Sequence, residues 1–248
     1  MSDLDLYLRG IRTAVACWTA YARTIPGGAV RRLPGVDVAV FTEGPERDVF
    51  NNAVLGHGLG PGQRRDAVGA MVSTYAASGI TEYAAWVHES DEAMLAELTA
   101  GGFTHQETTW AMARTLDGVP HRPDPHVGPG EWSEYLRVLE LPSGLLESAD
   151  PHDFEVVVAE LGDEPVGTGM AFDHETDSGI FNVATLDDAR RRGLGSAVVA
   201  ALLAGAAERG RRTATLQSTE MARGVYAGQG FRDFGRILEL GPPAGQGR

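Results

Sequence analysis

Three arginines and two glycines, Arg190-Arg191-Arg192-Gly193-Leu194-Gly195, stand directly before the apolar run Ala197–Leu203. The glycines lack Cβ, so ligand oxygen atoms can approach the backbone closely. If the apolar run is a helix, the loop gathers unpaired N–H groups and the positive end of the helix dipole in one place. That combination is an anion site suited to a diphosphate, and the arginines add charge that reaches a further phosphate. The competing reading is a solvated basic turn ahead of an ordinary helix start. A dinucleotide-binding GxGxxG fingerprint is excluded, because Val198 stands where the third glycine belongs.

The basic burst is conspicuous because the rest of the chain is acidic. Net charge is -13 over 248 residues, and the isoelectric point is about 4.9. The average surface repels nucleic acid and anionic membrane, so neither is an expected partner. The sequence contains no lysine, which removes Schiff-base chemistry, pyridoxal phosphate and the GK[ST] phosphate loop. Cys17 is the only cysteine, which excludes an internal disulfide and a cysteine zinc site. His121 and His126 lie close together but belong to no HExxH-type pattern, so no metal is expected. No stretch reaches the roughly 18–20 apolar residues of a membrane helix. These features together predict a cytoplasmic protein.

Periodicity supplies the elements that position the loop. A helix is expected over 4–23, ended by Pro26-Gly27-Gly28, then β-like runs at Ala29–Leu33, Val36–Thr42 and Asp48–Leu55. A helix from Gln63 to Ser78, a strand at Tyr83–His88, a helix at Asp91–Ala100 and a strand at Phe103–Thr115 complete the first half. Residues 117–130 hold four prolines and three glycines without periodicity and read as a linker between domains 1–116 and 131–241. The second half reads as a helix at Glu131–Leu139, then strands at Phe154–Leu161, Pro165–Asp173 and Gly179–Thr185. A helix at Gly195–Arg209, a strand at Thr213–Ser218, a short helix at Glu220–Gln229 and a strand at Phe231–Leu240 follow. Residues 242–248 read as a disordered tail.

The halves look like copies of one unit. Phe50-Asn51 answers Phe181-Asn182, Gly79 answers Gly210 at the same offset, and "AGGF" (100–103) answers "GQGF" (228–231) after a small change of offset. The copies differ where chemistry is expected. Opposite the arginine loop the first copy has Leu59-Gly60-Pro61-Gly62-Gln63-Arg64, and opposite Tyr226 it has Leu98.

Arg190-x-x-Gly193-x-Gly195, between a strand and an apolar helix, resembles the [RQ]xxGx[GA] signature of the GNAT superfamily of acyl-CoA-dependent N-acyltransferases. "TEMARGVYAGQGF" (219–231) is similar to that family's NxxAxxxYxxxGF segment, with Ala222, Tyr226, Gly230 and Phe231 in register and Thr219 in place of asparagine. The resemblance covers about residues 130–241. It implies a mixed α/β fold of two tandem GNAT-like halves, with the C-terminal one complete and the N-terminal one degenerate. It also implies acetyl-CoA as acyl donor. Arg190, Arg191, Arg192, Gly193, Leu194, Gly195 and Ser196 would hold the pyrophosphate; Val183, Ala184 and Thr185 would bond the pantetheine arm; Thr219 and Ala222 would line the coenzyme.

The implied reaction is acetyl transfer to a primary amine of a small molecule by direct attack in a ternary complex, with the protein a monomer or homodimer. Tyr226 is the expected proton donor to the departing thiolate. The base stays open among water, Glu220, the group Asp173, His174 and Glu175, and His88; Asn182 cannot take a proton but can orient the amine. Asn182, Trp86 and His88 are the candidate acceptor contacts. Two other readings remain at this point: a non-catalytic acyl-CoA sensor, and a protein or peptide N-acetyltransferase.

Overall fold

The computed structural model describes residues 2–43, 50–119, 124–146, 149–150 and 153–243. His121, the start of the run expected from Asp48, and most of the expected tail lie outside the described residues. The chain forms two compact units that interleave in sequence. The larger contains residues 1–17 and 110–234, and the smaller contains 18–109 and 235–248. Relative to the halves 1–116 and 131–241 read from the sequence, these compact units exchange segments.

The elements in chain order are α1 (Asp3–Tyr21), β1 (Gly28–Leu33), β2 (Val36–Phe41), β3 (Asn52–Leu55), α2 (Pro61–Ala77), β4 (Ala84–His88), α3 (Glu92–Ala100) and β5 (Thr104–Thr115). Then come β6 (Val127–Pro129), α4 (Trp132–Val138), β7 (Phe154–Leu161), β8 (Glu164–His174), β9 (Asp177–Thr185), α5 (Leu194–Glu208), β10 (Thr213–Ser218), α6 (Arg223–Gly228) and β11 (Arg232–Gly241). Strand β6 falls inside the segment read as linker. It pairs antiparallel with β7, and three residues ending in proline carry no period-two signal.

Each unit repeats one topology. In the smaller, β1, β2 and β3 form an antiparallel ladder, and β3 runs parallel to β4 across helix α2. In the larger, β7, β8 and β9 form the ladder, and β9 runs parallel to β10 across α5. The strand after α3 does not stay with its own copy: residues 110–115 of β5 pair with β10. Reciprocally, residues 237–240 of β11, the strand after α6, pair with β4. The last strand of each copy closes the sheet of the other.

Two cores follow from the periodic apolar positions. In the smaller unit Val38 and Val40 of β2 meet Met71 and Tyr75 of α2 and Met94 and Leu98 of α3. Tyr75 stacks on Tyr83 with ring centroids 4.0 Å apart. In the larger unit Val198, Val199, Leu202 and Leu203 of α5 are at most 1% exposed, and each such side chain contributes roughly 1.5–3 kcal/mol. Residues 3–17 of α1 pack in this unit through Leu6, clustered with Ala113 and Phe234, and through polar contacts. Thr13 Oγ1 donates to Asp177 Oδ2 at 2.8 Å, and Thr213 and Thr215 donate to the same carboxylate at 2.6 Å each. Desolvation raises the Asp177 carboxyl above its ordinary pKa. Cys17 is buried. No helix among the described residues is long and apolar enough to cross a membrane.

Candidate functional site

The site is built where β9 and β10 part. Their parallel pairing covers Asp177–Ile180 against Thr213–Leu216 and goes no further, although β9 continues to Thr185 and β10 to Ser218. The backbone of Asn182–Thr185 is therefore free of strand partners on its β10 side among the described residues. On the other side a bulge re-aims the strand. Thr168 pairs with Ala184 and Met170 with Phe181, so Gly169 faces both Asn182 and Val183. Asn182 absorbs the kink with φ +52°, a conformation asparagine tolerates better than most residues. A Cβ on Gly169 would come within 2.9 Å of Val198 and 3.1 Å of Val183, so only glycine lets α5 pack directly under the bulge.

The arginine loop follows as a 3₁₀ turn (Asp187–Ala189) that leads to the N-terminus of α5. Arg191 has φ +64° and Gly193 has φ +84°, and backbone bent this way turns successive N–H groups inward as an anion nest. Among the described residues the N–H groups of 191–196 make no hydrogen bond; the first bond of the helix start is Ala197 N–H to Gly193 O, 3.0 Å. No side chain caps the helix. These donors, with the positive end of α5 behind them, fit a pyrophosphate.

The three arginines do different things. Arg190 straps the loop: Nε donates to Thr185 O at 3.1 Å, and a terminal nitrogen pairs with Asp187 at 2.7 Å. Arg192 makes a long bond, 3.4 Å, to Asp188 O. Arg191 is exposed and has no partner among the described residues, so its guanidinium is the one held ready for a ligand. Leu194 is in the core and can offer only its N–H. Ser196 is partly buried, and its carbonyl accepts from Gln229 Nε2 at 3.3 Å, which ties the end of α6 to the loop. Thr219 Oγ1 accepts from Ala222 N–H at 3.4 Å and shapes the turn before α6; Ala222 packs against the core.

Tyr226 lies on α6, 7% exposed, in the same apolar cluster as Leu194 and Val198. Its ring meets Phe231 edge-on at 6.0 Å. Burial pushes its phenol up to about 12, so it is protonated throughout the physiological range. The hydroxyl makes no hydrogen bond among the described residues.

The candidate bases are mostly committed elsewhere. Glu220 accepts from Trp110 Nε1 at 2.6 Å, and Asp173 is held by Arg209 at 2.7 and 3.1 Å. Glu175 occupies the β8–β9 turn with φ +52°. Asn182 Nδ2 donates to Tyr135 OH at 2.7 Å, a partner on α4 that looks in the sequence like one more core aromatic. Trp86 and His88 belong to the smaller unit. Trp86 packs edge-on against Trp18 at 5.0 Å, and His88 Nδ1 lies 2.7 Å from Ser90 Oγ. Among the described residues no group of three or more metal-ligating side chains is assembled.

Residues 152–233 match a family model described as an acetyltransferase (GNAT) domain. That segment of the larger unit is thus similar to a GNAT acetyltransferase domain. A GCN5-related N-acetyltransferase from Kribbella flavida has a similar structure, with a TM-score of 0.71 and 19% identity, covering 95% of this chain and 96% of that one. A second, from Sphaerobacter thermophilus, has a TM-score of 0.60 and 18% identity over 83% and 76% of the two chains. A tandem GNAT protein from the clavulanic acid biosynthesis pathway has a TM-score of 0.56 and 16% identity over 97% and 96%. At these identities the likeness is one of fold, and the tandem GNAT-like architecture expected from the two copies is the one observed. Among curated proteins no sequence matches. The GNAT fold supports acyl-CoA-dependent acetyl transfer in general, and the nest and the strand split are the parts of this domain that fit such a donor.

Proposed function

We propose that the protein transfers an acetyl group from acetyl-CoA to a primary amine of a small molecule, by direct attack within a ternary complex. The observation that carries this reading is the run of unpartnered N–H groups at 191–196, set at the α5 N-terminus beside the β9–β10 split. In this reading the nest and Arg191 hold the pyrophosphate, and Arg190 keeps the loop in shape. The free backbone edge of Val183, Ala184 and Thr185 bonds the amides of the pantetheine arm. One N–H of that edge faces the thioester oxygen, where a preorganised donor is worth most as negative charge develops.

Tyr226 serves the leaving thiolate. A thiol titrates near 8.5 and this phenol near 12, so outright transfer of its proton is uphill by on the order of 5 kcal/mol. Its role is therefore hydrogen bonding to the sulfur as charge leaves, and solvent completes the protonation. Asn182, fixed by Tyr135, orients the incoming amine, and water takes the amine's proton. The acidic balance of the chain favours a cationic acceptor.

The test is thiol release from acetyl-CoA in the presence of a panel of small amines and a panel of peptides with free N-termini or lysines. Release that saturates with a small amine and exceeds that with every peptide supports the proposal. Coenzyme binding without amine-dependent release overturns it.

A further inference from the structure

The larger unit has a second concavity at the far end of α5, and the acetyl-transfer reading makes no use of it. The cleft has a volume of about 660 Å³, the size of a pocket for a small molecule. It opens between β6 with the start of α4, the first residues of β7, and the C-terminal half of α5. Gly195 and Glu208 stand thirteen residues apart on α5, about 20 Å at 1.5 Å per residue. The nearest lining residue on the helix, Ala201, is six residues or about 9 Å from Gly195, so the cleft and the nest are separate along α5.

Its walls combine an apolar body with one sign of charge. Pro129, Trp132, Phe154, Ala201 and Ala204 supply the apolar lining. Trp132 is held edge-on by Phe154 at 5.4 Å and by Tyr135 at 5.3 Å, so the indole is fixed in orientation before any ligand arrives. Among the described residues the charged lining is six carboxylates against one guanidinium. That guanidinium, Arg209, is already occupied, 2.5 Å from Glu155 and 2.7 Å from Asp173. Asp124, Glu131, Asp153 and Glu208 complete the negative lining. Burial raises the Glu155 carboxyl above its ordinary pKa even beside Arg209, so its charge is under-compensated.

The helix is also cut to fit. A Cβ at Gly205 would lie 2.1 Å from Glu155 Oε1. Glycine inside a helix costs about 1 kcal/mol relative to alanine, and here it opens the space in which the carboxylate reaches the cleft wall. The shape and sign of this lining exclude phosphates and carboxylates and suit a cation with a hydrocarbon or aromatic body, its charge near the acids and its face against Trp132.

We propose that this cleft is a second ligand site, distinct from the acyl-CoA cradle, that takes a small organic cation with an apolar body. The probe is benzyltrimethylammonium, which has no N–H and so cannot be acetylated; benzyl alcohol and phenylacetate are the neutral and anionic controls. Binding to the full chain is followed by calorimetry and by backbone amide NMR, with and without saturating acetyl-CoA. The expected result is saturable binding of the cation at least tenfold tighter than either control, unchanged by acetyl-CoA, with amide shifts at Gly128, Gly130 and Gly205. The exposed charge variant Glu131→Gln/Asp153→Asn should weaken it at least fivefold while the melting temperature stays within a few degrees. Equal binding of the three probes, no saturable binding, shifts centred on Gly193 and Gly195, or an unaffected double variant would each overturn the proposal.

Discussion

The two copies place a glycine-bearing loop at the same point, between the third strand of the ladder and the crossover helix, yet only the first has the N–H groups of its loop glycines Gly58 and Gly60 taken by side chains. In the first copy Gly58 N–H is taken by Asp91 Oδ2 at 2.8 Å and Gly60 N–H by Gln63 Oε1 at 2.9 Å. Pro61 begins the helix and has no N–H to give. Arg64 turns its guanidinium onto Leu59 O at 2.6 Å. In the second copy no side chain enters, Arg191 and Gly193 bend the loop into a nest, and the donors stay free. The difference teaches that the fold alone does not make an anion site. The first copy answers the N–H groups of Gly58 and Gly60 from within, and the second leaves the whole run 191–196 for a ligand.

The largest effect should come from closing the open loop. Gly193 sits at φ +84°, where a β-branched residue is strained by about 1–2 kcal/mol or more. Gly193→Val should therefore flatten the nest and weaken acetyl-CoA binding at least 100-fold by calorimetry. The matched change in the first copy, Gly60→Val, is made at φ -69° and should leave that affinity within twofold. If both variants bind equally well, the nest is not the cradle and the contrast between the copies fails.

The next effect separates binding from turnover. Tyr226 has Leu98 as its first-copy counterpart, and both are buried in their cores. Tyr226→Phe keeps the ring and removes only the hydroxyl. It should lower kcat by about 100-fold, the low end of what one preorganised hydrogen-bond donor to developing charge contributes, with coenzyme affinity unchanged. A variant with full kcat would leave Tyr226 as a packing residue like Leu98.

Much of this was legible in the sequence because it rested on local patterns. The order and type of the helices and strands follow from periodicity, and the loop is visible because arginine and glycine are scarce together in an acidic chain. What was not legible depends on contacts distant in sequence. Nothing in β5 or β11 says that each completes the other copy's sheet, since a strand's alternation does not name its partner. Tyr135 gave no sign of receiving Asn182, because a tyrosine on an apolar helix face reads as core. The division of labour in the arginine run was equally hidden. Composition marks three equal charges, and only the backbone bend shows Arg190 as a strap and Arg191 as the free cation.

That division predicts a smaller and salt-dependent effect. Arg191→Ala should weaken acetyl-CoA binding about tenfold at low ionic strength and less at high salt, since an exposed guanidinium on a phosphate is screened. Arg64→Ala, in the first copy, should not change coenzyme binding at any salt. Equal salt sensitivity in the two variants would mean that charge is sensed from the whole surface and not from the loop.

The smallest effect on the coenzyme, expected to be none, comes from opening the closed loop. Asp91 caps α3 by accepting from Met94 N–H at 3.1 Å while it occupies Gly58 N–H. Asp91→Ala removes both bonds, and loss of the cap alone costs about 1 kcal/mol, or roughly 2–4 °C in melting temperature for a chain of this size. Acetyl-CoA should still bind with a stoichiometry of one per chain. Gly58 is left-handed at φ +73°, but Gly60, the N-cap that answers Gly193, is extended and Pro61 still withholds a donor, so uncovering one N–H does not rebuild a nest. A second equivalent of coenzyme in this variant would show the reverse: that the first copy kept a working cradle and Asp91 alone stood in it.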